Sequence, residues 1–202
     1  MIPSNGNKVI NNVSRSNMIR MVSEKFKEIL DIMSFDLEDQ QIKDTPNRWA
    51  KMMINELLSG CYTEEPKMTV FKNTKKYDEI IFLGPIQIKS LCSHHVVPFR
   101  GKAYLAYIPG DYVCGISKLS RIVNWFMRRP QIQEELTKQI ADYMEDKLKP
   151  KGCAVYIEAQ HECMIIRGVE ESDSWMKTSD MRGGFKKKSS TRKEFFDMVN
   201  KS

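Results

Sequence analysis

All three histidines of this chain sit in two short segments far apart in sequence, and each segment also carries a cysteine: Cys92-Ser93-His94-His95 and His161-Glu162-Cys163. A fold that makes one site of them must bring the two segments together. Thiolate and neutral imidazole are the preferred ligands of zinc. Cys92 and His95 are three positions apart, so a single turn can aim both at one ion, and Cys163 completes a Cys2His set. Structural zinc normally closes with a fourth protein ligand, whereas three ligands leave a position open to water or substrate. His94 and His161, each beside a ligand, are then free to carry protons. A lone Cys-x-x-His is more often an ordinary turn; the second pair tips the reading toward a metal.

The chain has five cysteines, an odd number that cannot all pair internally. This suits a reducing compartment and a metal site better than a disulfide framework, so a cytoplasmic protein is expected. The start of the chain lacks the apolar core of a signal peptide. No apolar run reaches the ~18 residues of a membrane span, so no membrane association is expected. Basic residues outnumber acidic ones by 32 to 26, a net charge of +6. Such a surplus suits nucleic acid or a small polyanion such as a nucleotide phosphate. The densest basic run, Lys186-Lys187-Lys188 with Arg192-Lys193, reads as a solvated loop and helix start. No RNA-binding aromatic signature accompanies it, so no nucleic-acid partner is expected.

Residues 1–16 are polar and rich in Asn and Ser, and read as a flexible arm. One domain is expected over 17–202, with N-terminal helices over about 17–60 and a core over about 78–202. Apolar residues from Met18 to Met33 recur at three- and four-residue steps, predicting a helix over Asn17–Ser34. Thr45 as cap and Pro46 at the first position open a second helix, which Gly60 ends. Ile80–Leu83 and the alternating Ile86–Leu91 read as strands leading to Cys92, followed by Gly101–Ile108 and a short piece at Tyr112–Ile116. Ser117 is the expected cap of a helix burying Leu119, Ile122, Val123 and Phe126. Another helix runs from Ile132 to Leu148. The strand Cys153–Gln160 delivers His161 and Cys163, with Met164–Arg167 as its neighbour. A bend or short strand follows at Gly183-Gly184-Phe185, and a capping box at Thr191–Glu194 opens the last helix. The order predicts an α+β fold, antiparallel sheet backed by helices.

A three-ligand zinc lowers the pKa of its water from ~15.7 towards ~7, which points to hydrolysis or ring opening rather than redox chemistry. Ser117, Lys118 and Arg121 open a helix, where backbone N–H groups already favour anions, and Arg167 follows the His161 segment closely enough to join them. Arg48 and Lys51 share a helix face and can be solvated charges or a further anion clamp. Gln133 and Glu134 begin another helix. Acids there commonly offset the dipole, but a carboxylate also matches the adjacent N1–H and 2-amino donors of guanine.

The segments Cys92-x-His94-His95-x-x-Pro98-Phe99-x-Gly101-Lys102, Gly115–Val123, Arg129–Thr137, His161–Gly168 and Lys177-Thr178-Ser179 resemble GTP cyclohydrolase I, as does Asp44–Met52. The resemblance runs from about Asn17 to Lys201. It implies the tunnelling fold (T-fold), a homodecamer of two pentamers with active sites at subunit interfaces, and conversion of GTP to 7,8-dihydroneopterin triphosphate with release of formate. It also implies zinc on Cys92, His95 and Cys163, and His94 and His161 as acid/base groups. Guanine would be held by Glu134 with Gln133, and the triphosphate by Ser117, Lys118, Arg121 and Arg167, with Arg48 and Lys51. The family usually has Glu where this chain has Ser93. The alternatives this leaves are a zinc-stabilised nucleotide-binding oligomer with reduced or altered activity and a related purine nucleotide as substrate.

Overall fold

The computed structural model describes residues 10–202. The chain divides into two compact units, with the boundary at Glu64. In the N-terminal unit, α1 (Asn12–Ile32) is followed by α2 (Thr45–Met52), a π-helical turn (Met53–Leu57) and α3 (Ser59–Tyr62). The Asn11 side chain accepts from the Ser14 N–H at 2.8 Å and caps α1. Helix therefore begins inside the expected arm: residues 12–16 are helical, and residues 1–9 of that arm lie outside the described residues. Phe26 stacks on Trp49 with centroids 4.3 Å apart and ties α1 to α2. The cap of α2 is Asp44 rather than Thr45. Gly60 is buried within α3 and does not end the helical run.

The second unit carries β1 (Val70–Lys72), β2 (Ile81–Cys92), β3 (Pro98–Ile108), β4 (Tyr112–Cys114), α4 (Ile116–Met127), β5 (Pro130–Gln131), α5 (Gln133–Leu148), β6 (Gly152–His161), α6 (Glu162–Ile165), β7 (Met176–Met181), α7 (Gly184–Lys187) and α8 (Ser189–Asn200). β1 and β4 form a separate antiparallel pair. The main sheet has the order β5-β2-β3-β6-β7, antiparallel except where β5 joins β2 in parallel. The two apolar runs at Ile80 and Ile86 form one strand, with an irregularity between Leu83 and Ile86 where Gly84 and Pro85 intervene.

Alternation along the strands sorts side chains to the two faces. Ile88, Leu105, Val155 and Ile157 are fully buried in one cluster with Leu119 and Ile122 of α4 and Leu136 and Ile140 of α5. Each such side chain stabilises the fold by roughly 1.5–3 kcal/mol. On the other face Tyr104, Ala106, Ala154 and Tyr156 pack under Phe185, Phe195 and Val199. At one point β3 and β6 approach too closely for any side chain: a Cβ on Gly101 would collide with the Glu158 carbonyl. No described helix is long and apolar enough to cross a membrane.

Several local expectations are corrected. Gly115, not Ser117, precedes the first turn of α4. Met164–Arg167 does not pair as a strand; it belongs to the α6 turn and the loop after it, and β7 is the neighbour of β6. Gly183 has φ +53, and Gly184–Lys187 is a helical turn, not a strand. α8 starts at Ser189, before the supposed Thr191 box, with no side-chain cap.

Arg182 joins β7 to α5 by donating to Asp180, to Asp142 at 2.7 Å and to Glu145 at 2.7 Å. Burial alone would raise the Asp142 carboxyl. Hydrogen bonds and charge from Lys138 and Arg182 outweigh it and hold the group below its ordinary value. A carboxyl depressed in the folded state adds stability above its unfolded value of ~3.9. That stability is lost as pH falls through the folded value. Arg182→Met is therefore expected to lower stability at neutral pH by roughly 1–3 kcal/mol. Denaturant titrations should show the gap to the parent protein narrowing below pH ~4; a gap of constant size down to acid pH would remove this role.

Candidate metal centre and active site

β2 ends at Cys92, and the chain turns back into β3 through a tip closed by two backbone bonds. Cys92 N–H donates to Val97 O and Val96 N–H to Cys92 O, both at 2.9 Å. That tip carries Ser93, His94 and His95. β6 pairs with β3 in a register that sets His161 opposite Phe99. The α6 turn then folds Cys163 back. An Arg100–Glu162 ion pair of 2.8 Å links that turn to β3. The result is a group in which a ligand atom from each of Cys92, His95 and Cys163 lies within 4.8 Å of the others. Zinc–sulfur distances of ~2.3 Å and zinc–nitrogen distances of ~2.0–2.1 Å place tetrahedral ligands a little under ~4 Å apart. A contraction of at most slightly more than about an ångström from that spacing would reach this geometry, and two thiols with one imidazole are zinc's preferred donors. The residues fit such an ion. Cys92 is buried, Cys163 half-buried and His95 exposed, so the cluster is open on the histidine side. Burial pushes the Cys163 thiol up, Cys92 beside it adds to this, and Arg167 partly opposes it.

The remaining expected residues fall into three places. Arg167 joins the cluster: its Nη1 lies 2.8 Å from His95 Nε2. His94 is exposed, with its ring edge-on to His95 at a centroid distance of 6.2 Å. His161 is half-buried and stacks on Phe99, centroids 4.7 Å apart and planes within 9°. Burial lowers the His161 pKa and the Glu134 charge partly restores it. Glu134 is exposed on the first turn of α5. With Thr137, Lys138, Thr178, Ser179 and Asp180 it lines a cavity of about 220 Å³. Gln133 is fully buried. Its amide is engaged at both ends, with Oε1 2.9 Å from His161 Nε2 and Nε2 bonded to Ile157, Met176 and Thr178.

Ser117 and Arg121 are exposed and Lys118 is half-buried on the first turns of α4. Arg48 and Lys51 belong to the N-terminal unit, where Arg48 pairs with Asp44 at 3.1 Å. Ser93 is half-buried, and its backbone N–H donates to Gln131 O at 3.2 Å. Sequence reasoning gave no role to Phe99, Thr137 or Thr178. Only the strand register brings Phe99 to His161 and only helix docking brings the two threonines to Gln133, and the one available signal was their presence in the motifs around Pro98, Arg129 and Lys177.

Residues 22–200 match the sequence profile of GTP cyclohydrolase I. Among relatives, the GTP cyclohydrolase 1 of Sulfurihydrogenibium sp. is 44% identical over 179 residues, covering 89% of this chain and 94% of that protein. The GTP cyclohydrolase 1 of Citrobacter koseri is 41% identical over 181 residues, covering 89% of this chain and 82% of that protein. Among solved structures, the apo archaeosine synthase QueF-Like overlaps 52% of this chain and 94% of its own at 14% identity and a TM-score of 0.41. With matches of this extent running through both units and through every segment that builds the Cys92, His95 and Cys163 cluster, the chain belongs to the GTP cyclohydrolase I family of enzymes, and its helix-backed antiparallel sheet is that family's tunnelling fold.

Proposed function

We propose that this GTP cyclohydrolase converts GTP to 7,8-dihydroneopterin triphosphate with release of formate, using a zinc held by Cys92, His95 and Cys163. The observation that carries the reading is the convergence of those three ligand atoms within 4.8 Å, next to a half-buried histidine held by a buried amide. A zinc held by Cys92, His95 and Cys163 would supply Lewis acidity for the hydrolytic opening of the purine ring. His161 and His94 take and return protons as the imidazole ring opens. Phe99 and Gln133 hold the His161 ring by its face and by one edge, which limits the orientations it can present to substrate. The Glu134 carboxylate accepts from guanine N1–H and the 2-amino group, a pairing that rejects purines lacking those donors. Gln133, buried and fully engaged, contributes through His161 rather than through the purine. Ser117, Lys118, Arg121 and Arg167 bind the triphosphate, with Arg48 and Lys51 as further cationic contacts. The working form is a homodecamer of two pentamers with active sites at subunit interfaces. Its support is family membership and the position of β7 at one border of the sheet, with a neighbouring strand on one side only among the described residues. The cytoplasm is the proposed location, which five free cysteines suit.

Purified protein is expected to carry about one zinc per chain. Cys92→Ala, His95→Ala and Cys163→Ala should each lose it in elemental analysis, while Cys61→Ala, Cys114→Ala and Cys153→Ala keep it. Full metal occupancy in Cys163→Ala would refute the ligand set.

Arg121→Ala should weaken GTP binding by at most about 1.5–3 kcal/mol and leave guanosine binding unchanged in calorimetry. Equal losses for both ligands would take Arg121 out of the phosphate contacts.

A further inference from the structure

Ile86, Ile88 and Cys92 of β2 belong to the core under α4 and α5, and Ser90 falls between them in the same row of the strand. Ser90 is 2% exposed, so its hydroxyl is out of water and needs partners. Its Oγ donates to the Arg129 carbonyl at 3.1 Å, and Nε2 of Gln131 donates to it at 3.2 Å. Gln131 is itself buried. Its Nε2 also donates to the Phe126 carbonyl at 2.7 Å, with the Arg129 carbonyl farther off at 3.4 Å. Phe126 lies in the last turn of α4, where carbonyls have no partner inside the helix. One buried amide therefore ties the end of α4 and the start of β5 to β2, two residues before Cys92. The amide oxygen has no hydrogen-bonding partner among the described residues, a cost that an apolar side chain in its place would avoid. What Gln131 contributes is the link made by its nitrogen.

That link lies where strand pairing is thinnest. The register of β2 with β3 ends at Leu91 opposite Pro98, whereas its register with β5 runs one residue further, to Cys92 opposite Gln131. β5 has two residues, so it has few ladder bonds with which to hold its neighbour. The Ser93 N–H bond to the Gln131 carbonyl, at 3.2 Å, is at the long end of the usual range. We propose that Gln131 and Ser90 are positioning residues for the metal: their buried amide–hydroxyl pair anchors the end of β2 and so fixes where Cys92 presents its sulfur to His95 and Cys163. This rests on the reading of Cys92, His95 and Cys163 as the zinc ligands. Ligand distances in such a site must be held within about 0.2 Å. Cys163 arrives from α6, on a separate segment, so a small drift at the end of β2 changes its distance to Cys92 and weakens the site.

The test measures zinc affinity by competition with a fluorescent chelator, in buffer far from the unfolding transition. There nearly every molecule is folded, so a change in global stability alone leaves the measured Kd where it was. The variants are Gln131→Met, Ser90→Ala, Ile140→Val and Cys92→Ala. Methionine keeps the length and unbranched shape of glutamine and removes the amide. Gln131→Met is expected to weaken zinc binding about 10-fold or more, and Ser90→Ala to weaken it in the same direction. Ile140 is buried in the core of α5, outside this link. Ile140→Val should lower the denaturation midpoint and keep Kd within about 2-fold of the parent. Parent-level affinity in either Gln131→Met or Ser90→Ala overturns the proposal; should the first fail to fold, Ser90→Ala carries the comparison alone. An equal loss in Ile140→Val also overturns it, since that marks a general loosening of the core. Parent-level affinity in Cys92→Ala, or a parent protein that takes up no zinc, would instead overturn the ligand reading.

Discussion

The antiparallel pairing of β3 with β6 is the constraint on which the site depends. It runs unbroken from Phe99 opposite His161 to Ile108 opposite Gly152. Side chains on a strand alternate between faces, so a slip of one residue would turn His161 to the other side of the sheet. Apolar residues buried on both faces hold the register: Leu105 and Val155 under α4 and α5, Tyr104 and Tyr156 under α8. Gly101 allows the close approach of the two strands two residues from Phe99, where any side chain would push them apart. Since Cys92 enters β3 through a tight tip and Cys163 leaves β6 through one helical turn, fixing this pair of strands brings two distant segments into one cluster.

A second layer of control is polar and buried. Gln133 heads α5, yet its side chain points into the protein and meets the carbonyls of β6 and β7 as well as the His161 ring. A buried amide left without partners costs several kcal/mol in an apolar setting, so a fully engaged one has a single low-energy orientation. That converts a packing requirement into a chemical one, because the oxygen end of the amide decides which imidazole nitrogen keeps the proton. Phe99 restrains the same ring from its face. Cys92, Cys163 and His161 thus sit at adjoining positions at one end of the same sheet rather than on independent loops.

The charged groups fall into two kinds of setting. Arg182 has three carboxylates within hydrogen-bonding distance and joins an edge strand to a helix. Ser117 and Arg121 at the start of α4, and Glu134 at the start of α5, are instead left exposed. Exposed ends of helices with unspent charge suit a ligand that is itself charged and polar, such as a nucleoside triphosphate.

One cluster was legible in the residues themselves. Cys92, His95 and Cys163 stand out as a candidate ligand set from residue type and spacing alone, and the structure brings those three together. The amphipathic faces of α1, α4 and α5 were likewise readable, because helix periodicity is local. The ends of elements were not. Asn11 caps α1 earlier than the apolar pattern begins, Gly60 is absorbed into a helix, and Met164–Arg167 leaves the sheet. These outcomes depend on where the chain must go next, which is set by packing over long sequence distances. The role of Gln133 shows the same division most clearly. From sequence it is a polar residue at a helix start that could face either ligand or solvent. Only the docking of α5 against β6 and β7 buries it and turns its oxygen to His161, because a hydrogen-bond direction is a property of all the partners at once and not of the residue that makes it.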